Sequence, residues 1–184
     1  MKVISKDNLV TLLLSIKGAT FATICTDTDA RLKKTGNPYG QVRKLSRVNV
    51  CLGFQYENAV NRQRLREGSE GDFEADPRQW GRRVPGTMFV EHNDKLYLET
   101  KVEKSLNHTY FAADGTMLTE EQVAPYLPAR SKSSRQETEK EILVRDYALD
   151  SIRSLSFGGE VYLLLHDLPE TMAVKVKQEA EFPG

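Results

Sequence analysis

The segment NRQRLREGSEGDFEADPRQWGRR, residues 61–83, gathers six arginines around the only tryptophan of the chain. That mixture suits phosphate and base recognition. A guanidinium is a planar fork that grips a phosphate through two donors and stacks on rings. An aromatic side chain stacks on any base, worth ~1–3 kcal/mol per base. In this reading Arg62, Arg66, Arg82 and Arg83 hold phosphates, with Arg64 and Arg78 beside them, and Trp80 stacks on a base. The competing reading makes Trp80 a core anchor, because a solitary Trp is usually largely buried. It pairs the arginines with Glu67, Glu70, Asp72, Glu74 and Asp76. The loop RLKKTGNPYGQVRK (31–44) repeats the theme without counter-charge: Lys33, Lys34, Arg43 and Lys44 surround Tyr39, and Arg47 follows. Residues 31–66 hold nine Lys or Arg against one acid, Glu57, whereas 84–128 hold three basic and seven acidic residues. A chain with zero net charge but so uneven a distribution points to a charged partner rather than to a polycation coating nucleic acid.

Other chemistry has weaker support. No GxxxxGK[ST], GxGxxG or GxSxG pattern is present, so nucleotide hydrolysis, dinucleotide binding and serine-hydrolase chemistry are without a motif. His92, His108 and His166 fall at strand ends and in a loop, where a histidine is more often a polar rim residue than a base. Asp94 followed by Glu99 and Lys101 is how some metal-dependent nucleases arrange two carboxylates for Mg²⁺ and a lysine for the attacking water. Residues 99 and 101 share a strand face, but such pairs are also common on solvent faces. Asp27-Thr28-Asp29 leaves a strand, where aspartates usually form turns. Cys25 and Cys51 lie in apolar strand-like runs without metal-ligand spacing, and read as small buried residues of a reducing compartment. No cofactor or metal site is expected, and the chain is read as non-enzymatic.

These residues need elements to position them. Leu9, Leu12, Leu13 and Ile16 recur at helical spacing over 5–16, with Ser5 or Asp7 as cap and Gly18 as stop. ATFATICTDTD (19–29) and LSRVNVCLGFQY (45–56) read as two strands of one hairpin around the basic loop. In the second, Val48, Val50, Leu52, Phe54 and Tyr56 alternate with Arg47, Asn49, Cys51, Gly53 and Gln55, which predicts one buried and one solvated face. NAVNRQRLREG (58–68) reads as a helix with an arginine face. Hairpins are expected around Asn93-Asp94, Asp114-Gly115 and Gly158-Gly159. Thr119 to Gln122 is a capping box; 129–141 is a polar loop; residues 167–184 read as a loosely held tail after a single domain over 1–166.

Short strands with turns every few residues, and no βαβ alternation, predict a mainly β (α+β) fold. The expected form is a small antiparallel SH3-like or OB-like β-barrel with two or three short peripheral helices. The first residues lack an uninterrupted signal-peptide core and no run approaches the ~20 apolar residues of a membrane span, so a cytoplasmic place away from membranes is expected. The segments ATFATICTDTDARLKKTGNPYG, NAVNRQRLREG, WGRR, LYLETKVEKS and RQETEKEILVRDYALDSIRSLSFGGEVYLL together resemble small bacteriophage proteins with an SH3-like β-barrel fold. The resemblance spans about residues 9–165 and implies a viral or prophage origin, hence a host cytoplasm; it carries no active-site residues. The expected function is binding of nucleic acid, single-stranded DNA or RNA, by Lys33, Lys34, Tyr39, Arg43, Lys44, Arg47, Arg62, Arg66, Trp80, Arg82 and Arg83. The alternative is a phage factor that binds and redirects a host protein. Exposed barrel edges would also allow homo-oligomers.

Overall fold

The alternating residues around Val48 and Val50 do form a strand, and it lies near the middle of one large sheet. The computed structural model describes residues 1–33, 35–54, 61–66, 73–74, 82–127 and 141–181. The strands are β1 (Lys2–Val3), β2 (Thr20–Asp29), β3 (Arg43–Leu52), β4 (Asn61–Arg66), β5 (Phe73–Glu74), β6 (Arg82–Arg83), β7 (Phe89–His92), β8 (Lys95–Phe111), β9 (Met117–Leu118), β10 (Glu141–Ala148), β11 (Ile152–Phe157) and β12 (Glu160–Leu163). Among the described residues three α-helices accompany them: α1 (Lys6–Ser15), α2 (Glu120–Val123) and α3 (Glu170–Glu181).

The fold is mainly β, as expected, but the barrel is not closed. All twelve strands join one sheet in the order β1-β12-β11-β2-β3-β8-β10-β4-β5, with β7 and β9 also on β8 and β6 on β7. The sheet is mixed rather than antiparallel, because β1 runs parallel to β12 and β4 parallel to β10. The β2–β3 hairpin pairs without interruption from Thr20 opposite Leu52 to Asp29 opposite Arg43. The strand that leaves the Asn93-Asp94 turn and the one that enters the Asp114-Gly115 hairpin are a single strand, β8, which pairs with β3 through two register shifts. Such bulges bend a strand and re-aim its side chains.

Local signals behave as their chemistry dictates. Ser5 Oγ accepts from Asn8 N at 3.1 Å and starts α1. The Thr119–Gln122 capping box is complete, with Thr119 Oγ1 and Gln122 Oε1 each accepting a backbone N–H. Asn93 and Asp94 take φ of 48° and 61°, the left-handed pair that a two-residue hairpin turn needs.

Three expectations fail. The 58–68 segment is not a helix where it is described: Asn61–Arg66 is β4, aligned with β10 from Asn61 opposite Glu141 to Arg66 opposite Asp146. Tertiary pairing overrides the helix-friendly Arg, Gln and Leu of this run. The C-terminal residues are not a loose tail, since Glu170–Glu181 is a helix whose Met172 and Val176 are buried. The second face of β3 is not solvated, because that helix covers part of it. The polar loop 129–141 falls almost wholly outside the described residues.

Each face of the sheet therefore has a core. On one, Leu9 and Leu13 of α1 pack on Ile24, Val48, Val50, Leu52, Leu98 and Leu155. On the other, Met172 and Val176 of α3 pack on Cys25, Leu45, Phe111 and Leu163. A third cluster closes one end, where α2 brings Val123 onto Ala30, Val42, Tyr110 and Leu118. No helix among the described residues is long and apolar enough to cross a membrane.

Both cysteines are free and buried. Burial first, and then the Glu179 carboxylate, push the Cys25 thiol up to about 12; burial also raises Cys51. Since the thiolate is the reactive form, neither thiol should react with a disulfide reagent within minutes at about pH 8 in the native protein. Both should react after denaturation. Rapid native labelling at Cys25 would show that α3 does not stay docked.

Candidate nucleic-acid interface

The β2–β3 hairpin presents its basic loop on a rigid frame. Asp29 Oδ1 accepts from Arg31 N at 3.1 Å, Asn37 Oδ1 accepts from Tyr39 N at 2.9 Å, and Asn37 Nδ2 donates to Gly40 O at 2.9 Å. Lys33 N donates to Tyr126 O at 2.8 Å, which ties the loop to the turn after α2. The Lys33 side chain is exposed.

The predicted residues then part company. Tyr39 is half-buried and sits edge-on to Tyr126, with ring centroids 6.1 Å apart, so it packs the end cluster rather than offering a stacking face. Arg43 turns to the α3 side of the sheet and pairs with Asp27 (Nε–Oδ1 3.1 Å), a carboxylate also held by Arg153 at 3.3 Å. Arg47 is only 8% exposed and lies with Glu179 of α3 at 3.8 Å. A buried, paired guanidinium is not available to phosphate, so Arg47 leaves the set. Arg82 pairs with Glu91 at 3.1 Å, and Arg83 donates from Nη2 to both oxygens of Glu99 at 2.8 and 3.0 Å. Arg62 and Arg66 lie on β4, in register with Ile142 and Asp146. Lys34 and Trp80 lie outside the described residues.

Lys44 keeps company that spacing alone does not show. It shares a face of β3 with Ser46 and Val48, opposite Tyr110, while Ser46 lies opposite His108. Ser46 Oγ and His108 Nδ1 are 2.8 Å apart. The hydroxyl donates when the imidazole is neutral at Nδ1 and accepts when that nitrogen carries the proton. His108 is exposed as a residue, but this nitrogen is tucked against the β3 hydroxyl. Burial first, then the charges of Lys44 and Arg145, hold its proton affinity below the ordinary histidine value. Arg145 pairs with Thr100, well before His108 along β8, yet its charge still reaches His108. Two register shifts in the β3–β8 ladder lie between those positions, and such bulges bend a strand.

Arg145 is the least satisfied of these groups. Its Nη1 donates to Tyr147 Oη at 3.4 Å and its guanidinium lies 5.8 Å from the Tyr147 ring centroid. Its Nε is buried and has no hydrogen-bond partner. A buried donor without a partner costs about 1–3 kcal/mol. Lys44, Arg145 and the Ser46–His108 pair thus form a polar band whose positive charge comes from Lys44 and Arg145, with His108 adding to it only as pH falls.

The nuclease-like pattern is not assembled in the expected way. Asp94 occupies the β7–β8 turn, Glu99 is engaged by Arg83, and Lys101 Nζ lies 3.2 Å from Glu103. No group of three His, Cys, Asp or Glu side chains among the described residues is placed to hold a metal ion. Asp27-Thr28-Asp29 likewise serves Arg43, Arg153 and the Arg31 backbone rather than a cation.

His108 and Arg145 were not among the residues expected to bind. Lys44 was expected from the basic loop alone; Ser46, which neighbours it on the same face of β3, was not singled out, and the register shifts along β8 leave no periodic signal. No protein-family model matches the chain, and no curated protein or solved structure shows significant similarity to it.

Proposed function

We propose that the protein binds the phosphate backbone of single-stranded nucleic acid and catalyses no reaction. The observation that carries this reading is the Lys44–His108–Arg145 band, whose buried Arg145 Nε has no hydrogen-bond partner. Lys33 on the adjoining loop extends the positive charge outward. On the other side, β4 carries Arg62, Arg64 and Arg66 alongside β10, the strand of Arg145. Lys33, Lys44 and Arg145, from the loop, β3 and β10, suit an extended polyanion better than a lone small anion. The SH3-like or OB-like barrel relationship and the phage origin belong to this same proposal.

A pH signature distinguishes this site from general charge attraction. The fold disfavours the charged form of His108, so the unfolded chain takes up this proton first as pH falls. His108 therefore contributes stability that is present above the ordinary histidine value and lost as pH falls through the lowered one. A bound phosphate reverses the preference by stabilising the imidazolium. Affinity for a labelled single-stranded oligonucleotide, measured by anisotropy with EDTA present, should therefore rise as pH falls below about 6.5. His108→Ala should flatten that rise while leaving affinity at neutral pH nearly unchanged. An unchanged pH profile in His108→Ala would remove His108 from the site.

A further inference from the structure

A cavity lies away from the Lys44–Arg145 band, at the other end of β3. It encloses about 280 Å³ between the end of α1, the start of β2, the end of β3 and the β6–β8 strands. Leu13, Leu14, Ile16, Phe54 and Met88 supply apolar walls. Lys17, Arg83 and Glu99 are the charged lining residues. Glu99 is 6% exposed and accepts both bonds from Arg83 Nη2, so the carboxylate fixes the arginine at the wall. Asp146 lies opposite Glu99 across the strand pair but does not line the cavity. Lys17 is exposed and follows α1 directly. Among the described lining residues the charge is therefore net positive, with Arg83 held by Glu99 and Lys17 exposed.

The backbone at the cavity's edge is built for close approach. A Cβ on Gly53 would meet the Gly18 carbonyl oxygen at 2.4 Å, and Gly53 takes a φ of 66°. Only glycine allows the β3 end and the α1–β2 turn to come this near.

We propose that this cavity binds a small amphipathic carboxylate, its head at Lys17 and Arg83 and its short apolar chain along Leu14, Ile16 and Met88. A positive rim over an apolar wall disfavours an ammonium head and leaves a fully polar anion without contact for its other end.

The test is isothermal titration of the full chain with butyrate, hexanoate, octanoate and hexylammonium. Hexanoate should bind, and each added methylene from butyrate upward should tighten binding about fourfold, the equivalent of 0.8 kcal/mol per buried CH2. Lys17→Ala should weaken hexanoate about tenfold, the loss expected for one charged hydrogen bond. Lys17 is exposed, so this variant keeps the fold; Arg83→Ala would strand buried Glu99 and is the poorer choice. Leu14→Ser, at a residue 47% exposed, should flatten the chain-length dependence without unfolding the protein. Hexylammonium binding as tightly as hexanoate, insensitivity to Lys17→Ala, or no binding of any carboxylate would each overturn the proposal.

Discussion

Glu179→Ala should cost about 3–5 kcal/mol, the range for removing one partner of a buried ion pair. Glu179 is 9% exposed, although it sits in the last turn of a helix near the end of the chain. Its Oε1 accepts from Asn107 Nδ2 at 3.0 Å and Thr109 Oγ1 at 3.4 Å, and Lys175 Nζ lies 3.6 Å away. Its Oε2 lies 3.8 Å from Arg47 Nε. Asn107, Thr109 and Arg47 belong to β8 and β3, so one carboxylate fastens α3 to two strands of the sheet. Alanine at this position leaves Arg47 charged and buried, and that stranded cation is the larger part of the penalty. Urea unfolding of the full chain should show a lower midpoint. Replacing both partners by apolar residues, Arg47→Met with Glu179→Leu, should recover most of the loss, since the pair resists separation more than it stabilises. A loss below about 1 kcal/mol for Glu179→Ala would place the pair in the class of surface bridges and undo the account of α3 as a docked element.

Asp27→Ala is the second large effect, again about 3–5 kcal/mol. The Asp27 carboxylate is 5% exposed and serves two arginines from different strands, Arg43 and Arg153. Arg153 reaches it from the bulge between Ile152 and Ser154, where β11 shifts register against β2. Arg153 also donates to His166 O at 3.0 Å, so it ties the chain leading into α3 to the sheet. Asp27→Asn should cost less, because the amide oxygen still accepts one bond while the charge is lost. Asp150 is the internal control: it pairs with Lys6, but both side chains are more than half exposed. Asp150→Ala should change stability by less than about 1 kcal/mol. Equal losses for Asp27→Ala and Asp150→Ala in the same urea series would show that burial is not what sets the strength of these bridges.

Both predictions rest on a face of the sheet that strand alternation alone does not reveal. The hairpin around the basic loop, the Asn93-Asp94 turn and the Thr119 cap were legible because their signals are local: period-two alternation, left-handed turn residues, a hydroxyl three residues before an amide. Arg47 read as solvent-facing because its strand seemed to have one wet side, and the element that covers it lies more than a hundred residues away. That element did leave a trace. Met172, Val176 and Ala180 recur at fours, which is helical spacing, but they are diluted among charged residues. β4 is the opposite case: Arg-Gln-Arg-Leu-Arg favours a helix, and pairing with β10 and β5 makes it a strand. The candidate site falls between these extremes. Lys44 was singled out as part of a basic cluster, and Arg43 and Arg47, one and three residues from it, turn to the other face and pair with buried carboxylates. Odd and even positions of the same basic run thus have different surroundings, which charge counting cannot separate.

The most direct test of nucleic-acid binding is a salt titration of single-stranded oligonucleotide affinity for the wild type, Lys44→Ala and Arg47→Met with Glu179→Leu. For single strands the logarithm of affinity falls with that of salt at a slope of roughly −0.7 per phosphate neutralised. The account predicts tight, salt-sensitive binding at low ionic strength. Lys44→Ala should reduce the slope by roughly 0.7, and the doubly substituted, refastened α3 variant should match the wild type. Absence of binding at low salt, or a slope that responds to the buried Arg47 pair and not to Lys44, would contradict it.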